Sequence, residues 1–167
     1  MNGNLNAQAR THKAREGLYS AISVGAVLIL IGIVYALAQP SSLWESIVAF
    51  FSSFTLRSVP GTGISLPAPI SPVAHTVFYT AAFQFCIGLG ILQVILLALR
   101  LMMHSPIGKT AETVGHLVYW FGASYLITTY LNNTTTISRW FMFWAGILII
   151  LGLSFIARAF VLLAKRR

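Results

Sequence analysis

Five side chains that could bind a ligand or carry a proton share one face of a predicted helix, in and just after the apolar run at residues 73–99. With residues placed about 100° apart around a helix, the five fall within about 40° of one direction. A glutamine facing lipid would leave its amide unsatisfied, so this face should point into a bundle or at a partner chain. This polar face indicates either a polar pathway or a set of interhelical hydrogen bonds, and we favour the hydrogen bonds. The residues are His75, Tyr79, Cys86, Gln93 and Arg100.

Histidines could also hold a metal or a haem, provided that two of them met at the same depth on facing helices. His75 is near the outer end of its predicted helix, whereas His104 and His116 flank a short turn at the inner end. The inner pair lacks the carboxylate or thiolate neighbours that complete many metal sites. We therefore expect neither a metal nor a cofactor to be bound.

Acidic residues are too few and too peripheral for acid–base chemistry. Glu16, Glu45 and Glu112 are the whole acidic complement, and none lies in a predicted membrane span. Proton-coupled transporters usually need a carboxylate within the membrane, and two-carboxylate catalysis needs a pair. Ser124 has no histidine near it on its own helix, and Cys86 is interpreted as a small buried hydrophobe. The sequence therefore predicts that the protein is not an enzyme.

The composition indicates a membrane as the setting for these residues. Of 167 residues, 57% are hydrophobic and 8% are charged, and the mean hydropathy is +0.80. Soluble domains carry about 25% charged residues, so the outer surface of this chain is expected to face lipid. The net charge of +8 arises from basic residues that flank the apolar runs. This distribution indicates membrane topology and anionic headgroups rather than nucleic acid.

Four apolar stretches are long enough, or nearly so, to cross a hydrocarbon core of about 30 Å. The first ends in a possible cleavage site, Ala36–Ala38, but it exceeds the usual signal-peptide core of about 7–15 residues. We therefore predict an uncleaved helix. The expected fold class is all-α, a polytopic integral membrane protein with a four-transmembrane-helix bundle over residues 18–164. The predicted spans are residues 18–38, 73–99, 113–131 and 140–164.

Basic residues set the predicted orientation, because cytoplasmic loops of membrane proteins are enriched in Lys and Arg. With the N-terminus inside, nine such residues fall on the inner side, and only Arg57 and Arg139 fall outside. Both basic ends, residues 1–17 and 165–167, are therefore expected in the cytoplasm of a multi-pass protein of the cell membrane. The inner set is Arg10, Lys13, Arg15, Arg100, Lys109, Arg158, Lys165, Arg166 and Arg167.

The first outer connection has two predicted parts. Ser42 and Glu45 match a capping box, which indicates the start of an amphipathic helix over residues 42–56. We expect this helix to lie on the outer membrane interface, with a re-entrant hairpin as the alternative. Residues 57–72 contain four prolines and two glycines, which predict an extended loop. Long loops are often functional, so this one could contact a partner.

Two further sets of residues are candidates for contacts with lipid or protein. Arg158 lies shortly before the basic C-terminus and would reach the inner headgroups by snorkelling. With Arg100 and Lys109 it forms a candidate site for an anionic lipid. The first span also carries a stripe of small residues, which lets helix backbones approach closely in lipid. This stripe comprises Ala21, Gly25, Gly32 and Ala36.

Two functions remain open. The packing faces, short loops and shortage of reactive groups favour a non-catalytic accessory or scaffold subunit of a larger membrane complex. The alternative is a small homo-oligomeric channel or carrier whose pathway is lined by the polar face of the second predicted span. Because one such bundle has no room for a wide pore, the alternative requires self-association. The expected partners are the lipid bilayer and other membrane subunits or further copies of the chain.

Overall fold

The computed structural model describes residues 2–38, 40–103 and 105–164. Within these residues the chain is mostly helical, with five α-helices and one two-stranded antiparallel sheet. A short 3₁₀ turn, Pro72–His75, leads directly into the third α-helix. In chain order the elements are α1 (Asn2–Leu37), α2 (Pro40–Ser52), β1 (Phe54–Ser58), β2 (Ser65–Pro69), α3 (Thr76–Met102), α4 (Ile107–Tyr130) and α5 (Ile137–Ala164).

Two of the described helices are long and apolar enough to cross a membrane. They are Pro72–Met102 and Ile137–Ala164, whose apolar 18-residue stretches have mean hydropathies of 2.3 and 2.6. The pair Ala21–Leu37 and Ser42–Ser52, bent by 97°, would make a third if it formed one broken span. α4 is long enough, but its mean hydropathy is lower, because threonines, tyrosines and His116 are spread along it. Length and composition therefore support two or three spans.

The outward surface of these helices is strongly apolar. Leu148, Ile149 and Phe155 of α5 are 70%, 65% and 60% exposed, and Ile29 of α1 is 65% exposed. Contiguous apolar surface of this extent is rare on soluble monomers. In lipid it needs no cover, because the helices satisfy their own backbone hydrogen bonds. The exposed surface therefore fits a protein that is embedded in a membrane.

α3 lies between α1 and α4, and α4 packs in turn against an antiparallel α5. The contact between α4 and α5 is close because two glycines of α4 face it. A Cβ atom on Gly122 would lie 2.6 Å from the Ile150 side chain, and one on Gly115 would lie 3.1 Å from the backbone oxygen of Ser154. A larger residue would push the helices apart. We call this contact the glycine seam.

Aromatic rings close the end of the bundle that carries the sheet, which we call the hairpin end. The Phe50 ring of α2 stacks on Phe78 of α3, with ring centroids 4.3 Å apart, and lies 5.9 Å from the Trp140 ring of α5. Trp140 is 2% exposed. Its indole N–H donates to the Pro67 carbonyl oxygen of β2 at 3.4 Å. This ring cluster therefore joins α2, the sheet, α3 and α5.

The connection between α1 and α3 differs from the sequence prediction in two places. The helix predicted over residues 42–56 runs instead from Pro40 to Ser52, so Ser42 lies inside it and donates its hydroxyl to the Ala38 carbonyl oxygen. Ser53, the next residue, turns its hydroxyl and amide back to the Phe50 carbonyl. The predicted extended loop is instead part of a hairpin, in which Phe54 pairs with Pro69. Prolines are tolerated there because a strand in a two-stranded ribbon needs ladder donors along one edge only.

The first helix also extends beyond its predicted span. α1 begins at Asn2, so the stretch predicted as a tail at residues 1–17 is helical from its second residue. No proline occurs there to stop the helix. At about 1.5 Å per residue, α1 continues about 24 Å beyond the start of the predicted span at residues 18–38. The other three predicted spans overlap α3, α4 and α5.

Candidate functional site

The polar face predicted on α3 points into the protein over its first half. His75 is 7% exposed, Tyr79 is 2% exposed and Cys86 is 9% exposed. Gln93 and Arg100, nearer the α3–α4 turn, are half-buried. The structure therefore brings His75, Tyr79 and Cys86 onto one buried face, and it leaves the other two residues of the set nearer the surface.

Ser53 lies against His75, with 3.1 Å between Oγ and Nε2. The Ser53 hydroxyl donates to the Phe50 carbonyl oxygen at 2.8 Å. With its proton in that bond, the Ser53 oxygen can accept from Nε2 of His75 when that nitrogen carries the ring proton. The Ile70 amide donates to the Ser53 carbonyl oxygen at 2.9 Å, which closes the hairpin beside this pair. We call the arrangement the Ser53–His75 clasp, because it ties the end of α2 to the start of α3.

Aromatic rings surround the clasp. The Phe50 ring meets the His75 imidazole edge-on at a centroid distance of 5.3 Å, and the Tyr79 ring lies 6.4 Å away. A serine beside a histidine is the arrangement of nucleophile and base in many hydrolases, in which the hydroxyl proton faces the imidazole. Here the Ser53 proton faces a backbone carbonyl. The geometry therefore favours a structural fastening over nucleophilic chemistry.

Two buried polar atoms of α3 have no hydrogen-bond partner among the described residues. They are the hydroxyl of Tyr79 and Oε1 of Gln84. Leaving such an atom unpaired costs about 1–3 kcal/mol. Gln84 shares a side of the helix with Ala81 and Gly88, which face α1, whereas Tyr79 belongs to the aromatic cluster. α3 therefore carries polar groups on two sides, and both sides contact protein within the chain.

A cleft of about 210 Å³ opens between the start of α3 and the end of α4. Threonines and two asparagines, including Thr80, Thr128 and Asn133, line it together with apolar groups such as Phe83. The hydroxyls of Thr80 and Thr128 donate to carbonyls of their own helices. Pockets for drug-sized ligands are about 300–1,000 Å³. This cleft can therefore hold a few waters or a small chemical group.

The histidines do not gather into a metal centre within the described part of the chain. No three His, Cys, Asp or Glu side chains there are placed to hold a metal ion. His75 lies at the hairpin end, and His116 is exposed on α4. His104, which the sequence pairs with His116, lies outside the described residues, as does the basic end at residues 165–167.

Charged residues gather at the α3–α4 turn, which we call the turn end of the bundle. Nη1 of Arg100 donates to the Lys109 carbonyl oxygen and fastens α3 to the start of α4. The Lys109 ammonium lies 3.5 Å from the Glu112 carboxylate in an exposed pair. Arg158 of α5 is exposed, and its Cβ would lie 3.7 Å from a Cβ on Gly115. Of the three predicted lipid contacts, Arg100 is already hydrogen-bonded to a backbone carbonyl, whereas Lys109 and Arg158 are exposed.

The small-residue stripe on α1 has no neighbour within the described chain. A Cβ atom on Gly25 or Gly32 would meet no atom within 4 Å outside its own helix turn. The two alanines of the stripe are exposed. α1 contacts α3 through other residues, where Leu30 lies against Gly88 and Val34 packs in a small buried cluster. The stripe therefore faces away from the rest of the chain.

No protein-family model, curated protein or solved structure matches this chain. Its function is therefore inferred from the arrangement of its own residues.

The sequence pattern did not point to the Ser53–His75 clasp or to the glycine seam. Ser53 precedes His75 by 22 residues with a hairpin between them, and no local spacing rule joins such a pair. Gly115 and Gly122 did carry a signal, because a spacing of seven residues places both on one side of a helix. The same spacing separates Gly25 and Gly32 in the small-residue stripe predicted on α1.

Proposed function

We propose that this chain is a non-catalytic integral membrane protein of the cell membrane that serves as an accessory or scaffold subunit of a larger membrane complex. The observation that carries the proposal is the open small-residue stripe on α1. In lipid, helix pairs are stabilised by close packing of small residues, so an open stripe offers a partner helix a binding face.

The contacts of α1 support this interpretation. Its attachment to the rest of the chain uses the side that carries Leu30 and Val34. The opposite side, which carries Gly25 and Gly32, faces the surroundings of the chain. These glycines offer little apolar surface to lipid. A helix of another subunit fits this face better than lipid does, because it can approach the glycine backbone closely.

The proposed architecture has four membrane spans, with α4 as the third. Although α4 carries more polar residues than its neighbours, several of them are shielded. The hydroxyl of Thr113 donates to the Lys109 carbonyl oxygen at 2.9 Å, and the hydroxyl of Ser124 donates to the Phe121 carbonyl oxygen at 2.8 Å. Both side chains are buried. Part of the polarity of α4 is therefore shielded within the protein, which supports its placement in the membrane.

The proposed orientation places both termini and the α3–α4 turn in the cytoplasm. It is supported by nine Lys and Arg residues on that side against two on the other. In this orientation the hairpin and the ring cluster lie on the outer side. Trp140 and Trp144 then lie near the outer membrane–water interface, where tryptophan and tyrosine are common.

The alternative, a homo-oligomeric channel or carrier lined by the polar face of α3, has less support. The first half of that face is buried inside the chain at His75, Tyr79 and Cys86. A pathway between copies could not use it unless the bundle repacked. The cleft beside it, of about 210 Å³, opens at the hairpin end near Asn132 and Asn133.

Purification from the native membrane in mild detergent, at the native expression level, tests the accessory role. We expect foreign membrane subunits to co-purify in fixed stoichiometry with the wild-type chain. The double variant Gly25→Leu/Gly32→Leu should reduce their recovery several-fold while the chain itself stays folded. Gly152→Leu is the matched control, because that glycine of α5 is also open. A particle that contains copies of this chain alone would contradict the accessory role and support the alternative.

A further inference from the structure

Three ionisable residues share one side of α4 near the turn end. Lys109, Glu112 and His116 follow one another at spacings of three and four residues, which align side chains along a helix. Lys109 and His116 are exposed, and Glu112 is half-buried. Arg158 of α5 lies at the same level, since it is the neighbour of Gly115 across the glycine seam. A basic surface therefore extends across both helices.

The geometry of the seam places these groups on the same side of it. Gly115 faces Ser154, and His116 follows about 100° further around α4, whereas Arg158 lies about 40° past Ser154 on α5. Because the two right-handed helices are antiparallel, both rotations lead to the same side of the seam. α3 contacts the other side of α4, at Phe121. The side that carries the cations is therefore open to the surroundings.

Exposed apolar residues continue from Arg158 along the same side of α5. Leu151 and Phe155 precede it by seven and three residues, and Leu162 follows it by four, which are the spacings of one helical face. Leu151 and Leu162 are each 39% exposed, and Phe155 is 60% exposed. From Arg158 to Leu151 this apolar strip is about 10 Å long. A cationic end joined to an apolar strip matches the chemistry of an anionic amphiphile.

We propose that Lys109, His116 and Arg158 bind the phosphate of an anionic phospholipid, whose acyl chain lies along Leu151 and Phe155. Ammonium and guanidinium groups make charge-assisted hydrogen bonds to phosphate oxygens, and an imidazole N–H adds a further donor. The assignment of this lipid to the inner leaflet rests on the proposed orientation of the chain. The binding site itself rests on the contacts of α4 and α5.

Two charged residues near the site, Glu112 and Arg100, do not bind the phosphate. The Lys109–Glu112 pair is exposed, and exposed ion pairs of this kind are weak, so a phosphate can draw Lys109 away. The Glu112 carboxylate nevertheless repels the phosphate. Arg100 lies on the α3 side and is bonded to the Lys109 carbonyl oxygen, so it is not part of the site. A soluble phosphate would satisfy the cations, but it would leave the apolar strip unused.

Native mass spectrometry of the purified full-length chain, after exchange into equal amounts of phosphatidylglycerol and phosphatidylcholine, tests the proposal. We expect the wild type to retain phosphatidylglycerol preferentially. Arg158→Gln should lower that retention about fivefold, the factor expected for one cation near an anionic surface. Glu112→Gln should raise it. Arg139→Gln, which removes a cation at the hairpin end, is the matched control and should change nothing.

A second pair of variants separates the lipid from a soluble phosphate. Phe155→Ser should weaken retention of phosphatidylglycerol, whereas Phe160→Ser, on another side of α5 and 67% exposed, should leave it unchanged. Millimolar inorganic phosphate should fail to displace the lipid. Equal retention of both lipids by the wild type, equal losses in Arg158→Gln and Arg139→Gln, or displacement by inorganic phosphate would overturn the proposal. Binding in detergent depends neither on orientation nor on partner subunits, so its failure is distinct from failure of the accessory role.

Discussion

Nε2 of His75 lies 3.1 Å from Oγ of Ser53, and this contact fastens the two ends of the segment that carries the hairpin. The Ile70 amide bonds to the Ser53 carbonyl oxygen from the other side of the same turn. The Phe50 ring covers the pair. The hairpin is therefore held to α3 at its base by this contact, in addition to the bond from Trp140 of α5 to Pro67.

Replacing the serine should weaken this fastening. In Ser53→Ala the buried Nε2 of His75 loses its hydrogen-bond partner, and we expect the free energy of unfolding to fall by about 1–3 kcal/mol. Thermal unfolding in detergent, followed by tryptophan fluorescence, measures the change. Ser52→Ala is the control, because that exposed hydroxyl bonds to the Ala49 carbonyl oxygen alone. Equal losses in the two variants would show that the clasp is not specifically stabilising.

Removing the hydroxyl of Tyr79 should have the opposite effect. This buried hydroxyl has no partner among the described residues, so Tyr79→Phe removes a desolvated polar atom without breaking a hydrogen bond. We expect the free energy of unfolding to stay unchanged or to rise by about 1 kcal/mol. Tyr125→Phe, at a position 67% exposed, controls for the loss of a tyrosine hydroxyl. If Tyr79→Phe is clearly destabilised and Tyr125→Phe is not, the Tyr79 hydroxyl forms a hydrogen bond in the membrane-embedded protein.

The glycine seam should not accept a branched side chain. Gly115 faces the backbone oxygen of Ser154, which cannot move aside as a flexible side chain can. We expect Gly115→Val to lower the free energy of unfolding by about 1–3 kcal/mol, the usual cost of overpacking. Gly152→Val introduces the same residue into α5 at an open position and should cost less. Equal melting temperatures for the two variants would contradict a close α4–α5 contact.

How far the sequence predicts this fold depends on the range of the interactions involved. The apolar runs of α3 and α5 were found because hydrophobicity along a helix is a local property, readable from residues 73–99 and 140–164 alone. The hairpin was missed because Pro67 and Pro69 argue against a strand. Its pairing with β1 depends on contacts more than ten residues away, such as that between Phe54 and Pro69.

The candidate sites show the same division. Helical spacing grouped His75, Tyr79 and Cys86 on one face, and all three are buried, but it could not say that Ser53 would contact His75. The predicted lipid site grouped Arg100 with Arg158 by their charge alone. The structure instead joins Arg100 to a carbonyl at the turn. Which side of a helix a cation faces depends on the neighbouring helices, and a one-dimensional pattern does not contain them.

The orientation can be tested with single cysteines in a Cys86→Ala background. Thr62→Cys places a thiol at the exposed tip of the hairpin, and Gly108→Cys places one at the exposed start of α4. If α3 crosses the membrane once and the termini are cytoplasmic, a membrane-impermeant thiol reagent should label Thr62→Cys in intact cells. Gly108→Cys should react only after permeabilisation. Reaction of both sites from outside would mean that α3 does not cross, and the reverse pattern would mean that the chain is inverted. α3 is one of the two helices that are long and apolar enough to cross a membrane. An inverted pattern would therefore mean that the distribution of Lys and Arg does not set the orientation of this chain.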